Sequence, residues 1–109
     1  MTQDKYAACI QACVECAMAC EHCADSCLSE QDVGMMVECI RLDGDCSAMC
    51  WMAAKFMSRD SEFALQFCGL CAEVCEACGA ECGKHDHDHC RKCAEACRRC
   101  AQECRGMAG

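Results

Sequence analysis

Residues 9–27 read CIQACVECAMACEHCADSC, and place Cys9, Cys13, Cys16, Cys20, Cys23 and Cys27 at gaps that alternate between four and three. Such spacing returns to one face of an α-helix at every step, because side chains three and four apart are neighbours on the helix surface. A half-buried strand would alternate with period two, and this stretch does not. It therefore predicts a helix with a continuous stripe of thiols.

The same pattern recurs at Cys68, Cys71, Cys75, Cys78 and Cys82 and at Cys90, Cys93, Cys97, Cys100 and Cys104, and in degraded form at Cys39, Cys46 and Cys50. There is no proline and no Ser/Gly-rich linker, so helices can run long. Ser29 is a candidate cap for a helix from Glu30, Asp60 or Ser61 for one near Glu62, Gly83 a C-terminal cap, and Asp86 a cap for the last helix. Helices are expected at roughly 3–28, 30–58, 61–83 and 87–105. Short connections between them imply an all-α, up-down-up-down antiparallel four-helix bundle, one domain over residues 1–109, with the four stripes facing a common axis.

The totals narrow the chemistry. Ten Lys and Arg against 18 Asp and Glu give a formal charge of −8, which disfavours nucleic acid and anionic membranes as partners and favours cations. No export signal and no bilayer-length apolar run is visible, so a cytoplasmic location is expected. The 19 cysteines are odd in number and sit at helical spacings, unlike a secreted disulfide scaffold. In a reducing compartment they are thiols, for which metal binding is the favoured use.

A core of thiols packed as small hydrophobes would be poorly filled. Disulfides between side-by-side residues on a rigid helix would be strained at site after site. Metal is the remaining filler. CxxxC pairs recur within each helix, and two thiolates about 5–6 Å apart at their Cβ atoms can grip one ion from opposite sides. Soft sulphur in a near-linear pair suits Cu(I). Zinc wants four convergent ligands, which rigid stripes supply less readily than pairs. Iron–sulphur runs use loops and end in Cys-Pro, which is absent here. One Cu(I) per thiolate leaves the core neutral, so a full bundle would hold on the order of 19 ions. A zinc or cadmium sequestering protein, like a metallothionein, and an electron-transfer iron–sulphur protein remain the alternatives. No nucleophile with its base stands out, so the chain is not expected to be an enzyme.

The segments CIQACVECAMACEHC, CIRLDGDCSAMC and CGLCAEVCEACGAECGKHDHDHCRKCAEACRRCAQEC run nearly end to end and resemble the cytosolic branch of the bacterial copper storage proteins. The resemblance implies a four-helix bundle packing Cu(I) along its cysteine-lined interior. It also implies a homotetramer, metal-free protein that is already folded, and copper entry at one bundle end.

Antiparallel topology decides which end. One end collects Tyr6, Ile10, Phe56, Met57, Phe63, Leu65 and Phe67, whose bulk should seal it. The other collects Cys27, Met35, Met36, Cys82, Cys90 and the run KHDHDHC, residues 84–90. His87 and His89 fall on or beside the core line and are candidate ligands for capture and hand-off, ahead of His85 in the connection. On helix two the core line is read as Met35, Cys39, Asp43, Cys46, Cys50, Ala53 and Met57. Asp43 is then a ligand, a hydrogen-bond acceptor for thiols, or a solvent-facing residue, with ligation the minority reading, and His22 a solvated flank. A second stripe of Val33, Val37, Ile40, Gly44, Ala48 and Trp51 suggests self-association, or lateral packing within the bundle. A copper chaperone and a copper-requiring acceptor are the protein partners such a store would use.

Overall fold

A computed structural model describes residues 2–108, which form four helices in the expected antiparallel order. A 3-10 turn at Thr2–Tyr6 leads into α1, Ala7–Cys27. A second 3-10 turn, Val33–Met36, precedes α2, Val37–Ser58. The other two are α3, Ala64–Cys82, and α4, Asp88–Ala108. Helix α1 packs on α2 and α4, and α3 packs on the same two, so the four surround one axis. The particle is a rod of 48 × 20 × 18 Å.

All 19 cysteines are buried. Most of the remaining core is alanine, including Ala17, Ala53, Ala72 and Ala94, set beside the thiols where the helices approach one another. Small residues let the backbones come close. At Gly79 a Cβ would lie 3.2 Å from the Cβ of Cys97, which shows how tightly α3 meets α4.

The helix ends differ from several sequence expectations. Helix α2 begins seven residues after Glu30, and Ser29 lies in a turn without capping it. Asp60 does not start α3. It closes α2 in the left-handed region, φ 52°, with its N–H on the Met57 carbonyl and the next N–H, of Ser61, on the Phe56 carbonyl. That is the Schellman pattern with Asp, which tolerates the left-handed region, in glycine's usual place. The Ser61 hydroxyl then accepts the Phe63 N–H at the approach to α3. Gly83 is the C-cap of α3, as expected. The carbonyl that accepts the first bonds of α4, from Cys90 and Arg91, is that of His87 and not of Asp86.

The closed end is sealed by fewer residues than expected. Tyr6 and Met57 are buried there, and Phe56 meets Phe67 edge-on at 4.9 Å between ring centroids. Phe63 and Leu65 are 55% and 48% exposed and take no part in the seal. They lie at the start of α3, where the turn from Asp60 directs them outward.

Candidate metal centre

The thiol stripes meet as a single column of sulphur. Contacts between cysteines four apart on one helix span 3.9–4.0 Å, as at Cys23–Cys27, Cys71–Cys75 and Cys100–Cys104. Contacts between helices are as short or shorter: Cys39–Cys82 at 3.3 Å, Cys9–Cys104 and Cys46–Cys75 at 3.6 Å, and Cys16–Cys97 at 3.7 Å. Pairs within one helix are therefore not the unit of the site.

Tetrads form instead, correcting the expectation that rigid stripes supply mainly pairs. Cys13, Cys71, Cys100 and Cys104 have their sulphurs within 4.8 Å of one another, as do Cys16, Cys46, Cys50 and Cys75; Cys20, Cys78, Cys93 and Cys97; and Cys23, Cys27, Cys39 and Cys90. Each tetrad draws on three helices, so its geometry exists only once the bundle is assembled. A tetrad accommodates a tetrahedral divalent ion as well as clustered Cu(I). Charge separates the two. Four thiolates on one dication leave two negative charges in a dry interior, whereas one monovalent ion per thiolate leaves none.

Asp43 lies inside the column and is fully buried. Its Oδ1 accepts from the thiols of Cys93, Cys78 and Cys82 at 3.2, 3.3 and 3.4 Å, and its Oδ2 faces Cys39 at 3.8 Å. The solvent-facing rotamer is excluded. Burial pushes its carboxyl pKa up to about 10, and negative charge developing on the neighbouring Cys93, Cys78 and Cys39 adds to the shift. In the metal-free protein at neutral pH it is a neutral acid among thiols. Burial likewise pushes the Cys90 thiol up to about 11 and raises Cys27. Both need a cation to ionise comfortably.

The three histidines are set apart at their end of the bundle. His89 Nδ1 lies 3.4 Å from Cys23 Sγ and 3.5 Å from Cys90 Sγ, so this ring alone of the three touches the column. His87 stacks on it nearly parallel, 5.3 Å between centroids, with Nε2 on Asp32 at 3.2 Å and Nδ1 3.3 Å from Glu30. His85 turns away, its Nε2 on Glu81 at 3.0 Å. Of the two methionines it is Met36 that is fully buried at this end, while Met35 is 74% exposed. The 3-10 turn before α2 has three residues per turn, which moves the core line from Met35 to Met36, three residues before Cys39. His22 is exposed, as expected. Glu30 and Asp32, which hold the histidines, carry no signal of that role in the sequence. They sit in a segment read as helix, and their partners lie 55 or more positions away.

The surface of α2 keeps Val37 and Trp51 exposed, and a Cβ added at Gly44 would meet nothing within 4 Å. Ile40, in the same stripe, is partly buried against the core, so the stripe is exposed at its ends and packed at Ile40.

Comparison with known proteins agrees with this architecture. The family model described as copper storage protein matches residues 2–109. An uncharacterised cysteine-rich protein of Bacillus subtilis, YhjQ, is 54% identical over 101 residues, covering 93% of this chain and 94% of its own. The Cu(I)-bound copper storage protein BsCsp3 is 53% identical with a TM-score of 0.92, the match covering 95% of this chain and 98% of that one. A cytosolic copper storage protein from Streptomyces lividans, loaded with five coppers, is 43% identical with a TM-score of 0.93, over 98% and 94% of the two chains. With the family's pattern matched across nearly its whole length and its thiols gathered into one column, the chain belongs to the copper storage protein family.

Proposed function

We propose that this protein stores Cu(I) in the cytosol, holding many ions per chain on the thiolates of Cys9, Cys13, Cys16, Cys20, Cys23, Cys27, Cys39, Cys46, Cys50, Cys68, Cys71, Cys75, Cys78, Cys82, Cys90, Cys93, Cys97, Cys100 and Cys104, within one domain spanning residues 1–109. The continuous column of buried sulphur carries this reading, because thiolates packed so closely can be neutralised in a dry interior only by soft cations placed among them. The cytosolic description of the Streptomyces relative supports the location. No helix among the described residues is long and apolar enough to cross a membrane. The function is sequestration and supply, with release to an acceptor protein, and not catalysis. The exposed α2 stripe around Val37 and Trp51 supports assembly into a homotetramer.

Anaerobic titration of reduced protein with Cu(I) against a competing chelator is the decisive experiment. Saturation is expected on the order of 19 ions per chain, one per thiolate. Zn(II) should saturate at about four, because each ion consumes a tetrad. Saturation by only a few Cu(I), or displacement of Cu(I) by Zn(II), would refute storage.

Copper enters at the histidine end, where His89 presents a nitrogen to Cys23 and Cys90 before the deeper sulphurs are reached. Imidazole binds Cu(I) less tightly than thiolate, which suits capture and hand-off. His89→Ala is expected to slow loading from a chelator nearly as much as replacing His85, His87 and His89 together, with capacity changed by about one ion at most. Stopped-flow loading of the single and triple variants measures this. A large fall in capacity at an unaltered rate would contradict it.

A further inference from the structure

The connection between α1 and α2 reaches across this end of the bundle to a histidine of α4. Glu30 stands in that connection, its N–H on the Cys27 carbonyl at 3.2 Å. Its Oε2 lies 2.7 Å from His89 Nε2, closer than any other carboxylate–histidine pair at this end. The other nitrogen of the same ring faces two sulphurs of the column. We propose that Glu30 is a positioning residue for copper capture: it holds the proton of His89 on Nε2 and so presents the Nδ1 lone pair to an ion arriving between Cys23 and Cys90. This inference rests on the Cu(I) reading above.

A neutral imidazole carries one N–H and one lone pair, and an ionised carboxylate can only accept. With Nε2–H toward Glu30, a charge-assisted bond forms and Nδ1 is left bare. The opposite tautomer would set the Nε2 lone pair against a carboxylate oxygen and hide the ligating atom behind its own proton. Carboxylates behind a ligating histidine fix its orientation and raise its basicity.

His87 supplies the contrast. Its Nε2 bonds Asp32, its Nδ1 lies 3.3 Å from the Glu30 oxygen that His89 already bonds, and it bonds no sulphur of the column, so it packs on His89 without reaching the site. Glu30 thus couples the α1–α2 connection to the ligand on α4, two segments 59 positions apart.

The test uses the full metal-free chain and two variants, Glu30→Ala and Glu30→Gln. Histidine ¹⁵N NMR should find His89 protonated at Nε2 in the unaltered chain and in Glu30→Gln, whose side-chain carbonyl still accepts, and a mixture of tautomers in Glu30→Ala. Capture of the first Cu(I) equivalent from a chelator should slow about tenfold to a hundredfold in Glu30→Ala. Glu30→Gln should restore it to within a few-fold, which a general loss of acidic charge at the entrance would not allow. Protonation of His89 at Nδ1 in the unaltered chain overturns the proposal. So does loading of Glu30→Ala at the unaltered rate, or of Glu30→Gln as slowly as Glu30→Ala. The NMR of the unaltered chain and the Gln variant decide the matter even if Glu30→Ala folds poorly. Low total capacity in the unaltered chain would instead refute storage, and is read separately from the tautomer.

Discussion

Alanine at Cys46, Cys50, Cys97 and Cys100 together is expected to lower Cu(I) capacity by more than the number of sulphurs removed. Cys46 touches Cys16, Cys50, Cys75 and Cys97 at 3.6–4.0 Å. Cys50 adds Cys71 and Cys100, both at 3.8 Å, and Cys100 adds Cys13 at 3.6 Å. These four are the middle of the column. Their loss thins the middle of the column to Cys16 and Cys75 and strips Cys16 of its contacts with Cys97 and Cys46, at 3.7 and 3.8 Å. If sulphurs bridge neighbouring ions, removing them also removes ions that retained thiolates can no longer share, so the loss exceeds about four. Ions entering by the histidine end would also load the far half more slowly. Anaerobic titration, with circular dichroism to establish that the metal-free variant is helical, measures both effects. A loss of about four ions at an unchanged rate would mean that each thiolate holds its ion independently of its neighbours.

Asp43 predicts an unusual pH dependence in the metal-free protein. Its carboxyl titrates near its ordinary value of about 3.9 when unfolded, and near 10 when folded. Because the folded value is raised, the folded state binds the extra proton between these limits. Its stabilising contribution is complete below about pH 4 and is lost as pH rises toward 10, at about 1.4 kcal/mol per pH unit. From pH 5 to pH 8 the loss is about 4 kcal/mol, a large share of the roughly 5–15 kcal/mol typical of a domain. Asp43→Asn keeps a neutral, hydrogen-bonding side chain of nearly the same size and does not titrate. Its stability should fall less steeply than that of the unaltered chain, by about 4 kcal/mol less between pH 5 and pH 8, the remaining fall coming from thiols that begin to ionise in the unfolded chain. Denaturant unfolding of reduced, metal-free protein at pH 5, 6.5 and 8 makes the comparison. Equal slopes for the two proteins would refute a neutral Asp43.

The fold is legible in the sequence because its main signal is local. The spacing of Cys9 to Cys27, of Cys68 to Cys82 and of Cys90 to Cys104 is in each case a helix face regardless of what lies opposite. Burying four such faces leaves few architectures. The ends of helices are less legible. Ser29, Asp60 and Asp86 are all good N-cap residues by type. Yet Asp60 closes the preceding helix, and the chain between Cys27 and Val37 turns twice before α2 begins. Capping chemistry says what a residue can accept and leaves open which N–H will be offered to it.

Sequence by itself determined the four helices, their antiparallel order, the thiol interior and the end at which the histidines cluster. These follow from a helical period and from connections too short to reach anywhere but an antiparallel neighbour. Tertiary structure alone decided which sulphurs share a tetrad, that Asp43 is buried among four thiols, that Met36 and not Met35 is buried at the histidine end, and that His89, bonded by Glu30, is the histidine that reaches the column. The physical reason is that a helical period fixes which face a side chain takes. Partners across the bundle depend on the axial stagger and rotation of one helix against another, which only packing and loop conformation set.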